Sequence, residues 1–344
     1  MTRIRTVFVS LFAGLIVLAI SACGSNNNQA AQGASPAAAI PSASVAPTAS
    51  PSVQPSASAS AAPAKRTITH ALGQTEVPAK VSRVASLTPH FADHLVALGI
   101  TPIASVSREA GDFEPYLAAQ LKGTESLGQQ SAPSLEKLVT LKPDLILAVE
   151  KDHSKAYETL QKTAPTLIFT DKEMEQDWAG VFLKVAAAVG KKDEGKAKLK
   201  AFEDRTKALK EKLAAKLGNE TVVFFKMTDK DARVLSKNSP LGKIAYEQLG
   251  LKAPQGLPDG EGEIKIAIEK LPEMNPDHIF VMDVNVPDYV DKLNEAMKTP
   301  IWQSLNAVKN KHVYMVPLRA TKTGFGLVMH GLFVDEVQKA LLGQ

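Results

Sequence analysis

Two stretches of this chain align without a gap: Ser134-Leu-Glu-Lys-Leu-Val-Thr-Leu-Lys-Pro-Asp-Leu-Ile146 and Ala267-Ile-Glu-Lys-Leu-Pro-Glu-Met-Asn-Pro-Asp-His-Ile279. Glu136/Glu269, Lys137/Lys270, Leu138/Leu271, Pro143/Pro276, Asp144/Asp277 and Ile146/Ile279 coincide. Each copy spells a short amphipathic helix with Glu near its start, a Pro-Asp stop and a buried strand, Leu145–Val149 or Ile279–Met282. A weaker echo pairs Leu98-Gly99-Ile100-Thr101-Pro102 with Leu249-Gly250-Leu251-Lys252-Ala253-Pro254. The offsets of the two echoes differ, which excludes a short-period solenoid and leaves a pair of similar lobes. Two lobes facing one another make a cleft, the usual seat of a small ligand.

The first residues read as an address. Arg3 and Arg5 precede an apolar run, Val7 to Ile20, that ends on Ser21-Ala22-Cys23. A basic start, a short apolar run and small residues before the cut describe an export signal over 1–22. The run is shorter than the roughly 20 residues that span a bilayer. Its ending resembles a bacterial lipoprotein signal, with Cys23 acylated as the first mature residue; an uncleaved anchor helix with a chance Cys is the alternative. Either way the body is expected outside the cytoplasm, tethered to the membrane. Within the expected tether, 23–66, the chain from Gly24 to Ala64 is almost wholly Ala, Ser, Pro, Gln, Asn and Gly. Such a segment buries too little apolar surface to offset its ordering entropy and is expected to be a disordered spacer.

Cys23 is the only cysteine, so there is no intrachain disulfide and no multi-thiolate metal site. The net charge of +4 misleads. Arg3, Arg5, Lys65 and Arg66 precede Thr67, whereas no acidic residue precedes Glu76; removing these four from the 40 Lys and Arg leaves 36, equal to the 36 Asp and Glu. A neutral body argues against a nucleic-acid partner.

Along the body, Thr88 as N-cap and Pro89 at the first helical position open a helix that Gly99 closes. Ile103–Val106 follows as a strand, Ser107–Lys122 as a polar loop with some helix, then a helix near Ser154–Thr163 and a strand at Thr166–Phe169. The alternation predicts an α/β fold with mostly parallel sheets. A helical region from about Gln176 to Leu217 is broken by Gly190–Gly195. Beyond the break, Leu199, Phe202, Thr206, Leu209 and Leu213 form a stripe with charged residues between. A helix of about 25 residues, roughly 37 Å long, suits a strut joining the lobes better than a coiled-coil seam of under three heptads. The second lobe starts at Thr221-Val-Val-Phe-Phe, with strands at Ile279–Met282 and His312–Val316 and helices around Trp302–Val308 and Leu327–Leu342. The expected division is 67–190 for the first lobe, 191–218 for the strut and 219–344 for the second lobe.

Arg83-Val-Ala-Ser-Leu-Thr-Pro, the two Glu-Lys-Leu…Pro-Asp copies and Trp302-Gln-Ser-Leu-Asn-Ala-Val-Lys-Asn-Lys-His-Val-Tyr-Met-Val, in this order, resemble the ABC-importer substrate-binding lipoproteins of the siderophore, haem and cobalamin group. The resemblance spans nearly all of Arg66 to Gln344. It implies two lobes joined by one rigid helix, small opening motions, a monomer, no cofactor and no catalysis. It also implies a glutamate on each lobe that docks onto arginines of the membrane permease. The matching positions are Glu136 and Glu269; the alternative for both is plain first-turn charge favoured by the helix dipole.

Ligands of open α/β sheets sit beyond the carboxyl ends of the strands. Reading outward from those ends gives Thr88, His90, Arg108, Lys151, Lys226, Asp283, Asn285, Arg319 and Lys322, with Arg233 on the strand-like Ala232–Leu235. Phe113, Tyr116 and Phe325 offer apolar walls. A rim rich in Arg and Lys suits the oxygens of anionic catecholate or carboxylate chelates, so the expected ligand is a ferric siderophore, with haem or cobalamin as the alternative. On this expectation, charge removal at Arg233 or Arg319 weakens an anionic ferric ligand at least about tenfold, roughly 1.4 kcal/mol. His90 and His94 have the i, i+4 spacing of a metal pair, but His94 flanks the Phe91/Leu95/Leu98 core stripe and is read as structural. Met329-His330, another source of an axial haem ligand, sits in an apolar helix and reads as core. No G-x-S-x-G, H-E-x-x-H, P-loop or G-x-G-x-x-G is present, which leaves a hydrolase without a motif. A purely structural wall protein accounts for the tether but not for the paired lobes.

Overall fold

The computed structural model describes residues 65–108, 113–228, 230–283, 287–318 and 326–344. The expected export signal and nearly all of the expected tether, Cys23 included, lie outside the described residues. Arg66, assigned above to the tether's end, instead starts the hairpin β1 (Arg66–His70) and β2 (Gly73–Val77). Its guanidinium donates to the carbonyls of Pro78, Ala79 and Ala188, so it ties the hairpin down.

The first lobe is a five-stranded sheet of β3 (Val84–Ser86), β4 (Ala104–Ser107), β5 (Glu125–Gln129), β6 (Leu145–Val149) and β7 (Thr166–Phe169). Their order is β5-β4-β3-β6-β7, and every pairing is parallel. The second sheet holds β8 (Val222–Met227), β9 (Ala232–Leu235), β10 (Glu263–Ile266), β11 (His278–Val281) and β12 (Val313–Met315), in the order β10-β9-β8-β11-β12. Here β8, β11 and β12 run parallel, while β9 is antiparallel to both its neighbours. In each lobe the chain walks outward for three strands and then returns to the other side of the first, so each sheet has its switch point beside its first strand. Both sheets bury both faces, which is why their central strands are continuous apolar runs such as Leu145–Val149.

The repeated Pro-Asp has a structural cause. Asp144 Oδ2 accepts from the Ser82 and Arg83 amides at 2.8 and 2.9 Å and from the Ser82 hydroxyl at 3.0 Å. Asp277 Oδ2 accepts from the Thr221 amide and hydroxyl at 2.8 and 2.9 Å. Each carboxylate therefore fastens the start of the lobe's first strand to the start of the strand beside it. Lys142 and Asn275, two residues earlier, both take positive φ, 46° and 36°, where each short helix ends before its proline. The register follows: Val84 pairs with Leu145 in one lobe, Val222 with His278 in the other.

The strut is a single helix, Lys192–Leu217, of 26 residues, about 39 Å long. Its start packs on the first lobe: a Cβ added at Gly195 would stand 2.5 Å from Ala186 Cβ on the preceding helix Trp178–Ala188, so only glycine permits this approach. Its later stripe, Phe202, Leu209, Leu213 and Leu217, belongs to the core of the second lobe. The closing helix Leu327–Leu342 also crosses the join. Asp93, buried on the first-lobe helix Pro89–Ala97, accepts from the Val328 and Met329 amides at 2.8 and 3.0 Å and from Tyr116 Oη at 2.9 Å. The first lobe thus caps a helix that follows the second lobe's last strand.

Candidate functional site

The carboxyl ends of the first sheet carry a chain of mostly uncharged hydrogen bonds. Thr88, the buried residue that precedes the helix Pro89–Ala97, donates from its hydroxyl to Gln130 Oε1 at 2.9 Å and lies 3.0 Å from His90 Nδ1. Gln130, the first residue past β5, donates to Asp152 Oδ2 at 2.7 Å. His153 Nδ1 accepts from the Val149 amide, so Nε2 carries the proton and donates to the Gln130 carbonyl at 3.0 Å. Burial pushes the His153 pKa down, in keeping with a neutral ring. Lys151 is exposed in the short helix Glu150–His153, between Glu150 and Asp152 in sequence. Arg108, just past β4, is partly exposed, with Nε 3.9 Å from the buried Glu114 carboxylate.

The second sheet is built differently. Lys265, Arg233 and Lys226 stand in one register row across β10, β9 and β8. Two residues along, on the same face, Leu235 and Phe224 share a core with Trp178 of the first lobe, so this face is turned toward the first lobe. Each cation of the row has an acidic partner. Lys226 Nζ is 2.9 Å from both Glu263 Oε1 and Asp283 Oδ2, whose side chains are 8% and 1% exposed. Arg233 Nε reaches Asp231 Oδ1 at 2.7 Å, and Nη1 lies 3.7 Å from Glu263. Lys265 lies 3.4 Å from Asp231. Burial works against the Lys226 ammonium, but the two carboxylates outweigh it and hold its pKa above the ordinary lysine value. Burial raises Glu263 in spite of Lys226, while the Arg233 hydrogen bond draws Asp231 down to about 2. Asp283 reaches Lys226 from a left-handed backbone, φ 61°, a conformation that costs a non-glycine residue of order 1 kcal/mol or more.

The structure therefore brings Thr88 and His90 together at one edge and Lys226 and Arg233 at the other, where both cations are already paired with carboxylates. Arg319, Lys322, Asn285 and Phe325 lie outside the described residues. Between the lobes, a polar groove of about 310 Å³ is lined by Glu175 and Gln176 on one side and Asn238, Pro240, Lys243, Glu261 and Gly262 on the other. Glu136 and Glu269 are both exposed, in the first turns of Leu135–Thr140 and Ile268–Lys270.

His94 turns away from the rim: it is buried against Phe182, ring centroids 5.3 Å apart, and Nδ1 has no hydrogen-bond partner. His330 is buried against Trp178 at 4.4 Å with neither ring nitrogen bonded. Burial depresses both rings to about 3, so both are neutral. Among the described residues no cluster of three His, Cys, Asp or Glu is placed to hold a metal. Sequence reasoning missed Gln130, Asp152, His153 and Glu263. Only Asp231, two residues from Arg233, carried a local signal.

The family described as periplasmic binding protein matches residues 84–320. A putative ABC transporter substrate-binding lipoprotein of Bacillus subtilis (strain 168) is 32% identical over 294 residues, covering 80% of this chain and 88% of that protein. A probable siderophore-binding lipoprotein of the same organism is 29% identical, with the same coverages. Among solved structures, the triscatecholate siderophore-binding protein FeuA of Bacillus subtilis, complexed with ferri-bacillibactin, superimposes with a TM-score of 0.67 at 26% identity, over 81% of this chain and 99% of that one. SirA of Staphylococcus aureus, complexed with staphyloferrin B, gives 0.65 at 27% identity, over 80% and 98%.

Proposed function

This chain belongs to the periplasmic binding protein family, and from that premise we propose that it captures a ferric siderophore between its lobes and delivers it to an ABC permease. The observation that carries the reading is the pair of facing polar strand edges, one on each lobe of a strut-joined body, in a chain whose relatives bear the names of siderophore carriers. Thr88, His90, Arg108 and Lys151 form the first-lobe side of the site; Lys226 and Arg233 form the second, with Arg319 and Lys322 assigned by sequence alone. Iron is cargo here, and the protein performs no reaction on it.

Glu136 and Glu269 are the permease contacts in this reading. Their exposure and matched first-turn positions support it, since a docking carboxylate has to be free of the core. Lipid on Cys23 holds the monomer at the outer face of the cell membrane, in line with relatives named as lipoproteins.

Titration of the purified full-length chain in mild detergent tests the proposal. Trp178, at the join between the lobes, and Trp302 are the only tryptophans and report binding by fluorescence. Sub-micromolar saturation by one ferric citrate, hydroxamate or catecholate chelate supports it. Binding of haem or cobalamin alone replaces the ligand, and silence toward all five removes the function.

A further inference from the structure

The seam between the lobes closes on a single buried carboxylate. Asp93 belongs to the first-lobe helix Pro89–Ala97, at whose head stand Thr88 and His90. Across the seam, no side chain of its own caps the closing helix Leu327–Leu342. The first N–H groups of a helix have no acceptor within it, and here the Val328 and Met329 amides find theirs in Asp93. A Cβ at Gly326 would stand 2.3 Å from Asp93 Oδ1 and 2.8 Å from His94 Nδ1, so glycine is what lets the chain come this close. The apolar contacts change sides over the same three residues. Val328 packs against the first-lobe cluster Ala92, Leu117 and Leu121, Leu327 against the cores of both lobes, and Met329 lies in the second-lobe core with Phe333 and Val337. Farther along, Asp335 and Gln338 are held by Arg205 of the strut. The closing helix is therefore second-lobe in its packing but takes its cap from the first lobe.

Resting on the reading that cargo lies between the lobes, we propose that Asp93 is a positioning residue: it latches the closing helix to the first lobe as a second tie beside the strut, and so slows the release of bound cargo. Burial raises its pKa to about 6, which leaves it ionised at neutral pH, and an ionised acceptor holds an amide about twice as strongly as a neutral one. Without it, two amides in a buried seam lose their acceptor, and that loss is relieved when the lobes part and water reaches them. The site feels the latch directly. Thr88 and His90 stand on the helix that carries Asp93, and Tyr116, an expected wall of the site, donates to the same carboxylate at 2.9 Å.

Hydrogen exchange and stopped-flow fluorescence on the full-length chain at neutral pH test the latch. Asp93→Asn keeps the side-chain volume but removes the charge and one acceptor oxygen. Amides 326–330 are expected to exchange at least about tenfold faster, well beyond any change in the central strands Leu145–Val149 and His278–Val281. The ferric chelate that saturates wild type should dissociate about tenfold faster, with its association rate nearly unchanged. Gly326→Ala leaves Asp93 in place, wedges a methyl group against it, and should act in the same direction. Equal acceleration of seam and strands in both variants would mean that Asp93 adds only stability, and overturns the latch. Unchanged exchange at 326–330, or faster exchange with an unchanged dissociation rate, overturns it as well. If neither a ferric chelate, haem nor cobalamin binds wild type, the cargo reading fails, while the exchange measurement still decides whether Asp93 ties the lobes.

Discussion

The two lobes share a scaffold and differ at its working edge. Asp144 and Asp277 fasten equivalent strands at one end of each sheet, with nearly the same distances. At the other end the first lobe presents a hydrogen-bonded relay, Thr88–Gln130–Asp152, and the second a lattice of ion pairs around Lys226. Duplicated sequence thus marks what builds the fold, and the unduplicated strand ends mark what distinguishes the two walls. The second sheet departs further through antiparallel β9, which brings Arg233 into the same row as Lys226.

The comparison breaks most severely at the join, where both lobes supply a buried histidine with an unpartnered ring nitrogen. His94 and His330 have folded pKa values near 3, below the unfolded value of about 6.5, so acid favours the unfolded chain, which takes up protons first. Their two contributions fall together by about 4 kcal/mol between pH 7 and pH 5. Asp93 works the other way: its folded pKa, about 6, is raised by burial, so it favours folding as pH falls through that value. In urea melts at both pH values, His330→Leu should recover about half of the histidine loss, and Asp93→Asn should deepen the net decline. A pH-independent melt for wild type would mean that the two histidines are hydrated.

Removing the fasteners should separate the lobes quantitatively. Asp277→Ala is expected to cost about 3 kcal/mol and the more exposed Asp144→Ala about 2, because hydrogen bonds to a charged group contribute about 1.5–3 kcal/mol each before solvent competition. Equal costs in denaturant unfolding would show that exposure does not distinguish the two copies. Gly195→Ala should cost about 1–2 kcal/mol, since its new methyl meets Ala186 on the neighbouring helix; an unchanged unfolding midpoint would show that the helices slide apart freely. The smallest stability effect belongs to Glu136→Ala and Glu269→Ala, within about 0.5 kcal/mol, while siderophore uptake by cells is lost and ligand affinity is kept. Retained uptake in the double variant would return both residues to plain first-turn charge.

Much of this architecture was legible because its causes are local. The 3–4 spacing of Phe202, Leu209 and Leu213 foretold the strut, and Thr88-Pro89 foretold the helix start. The Glu-Lys-Leu…Pro-Asp copies foretold the two central strands that follow them. The hairpin β1–β2, β5 and β10 escaped notice: each is short, and only one or two of its residues are buried. The site was harder to read for a different reason. Lys226 could be placed at a strand end from its neighbours, but its partners Glu263 and Asp283 are distant in sequence and meet it only through the sheet order. A list of cations read along a chain records charge, whereas a ligand meets the field that remains after folding has paired them.

The placement of the Asp144 and Asp277 fasteners has a consequence for how such a protein can change. They hold the amino ends of the strands, and the carboxyl ends, where cargo is expected, lie a strand's length away. Substitutions at the two ends share no partners, and well-separated sites of that kind add nearly independently. A lineage built on this chassis can therefore exchange its cargo by trial at one rim, generation after generation, without renegotiating the fold at the other.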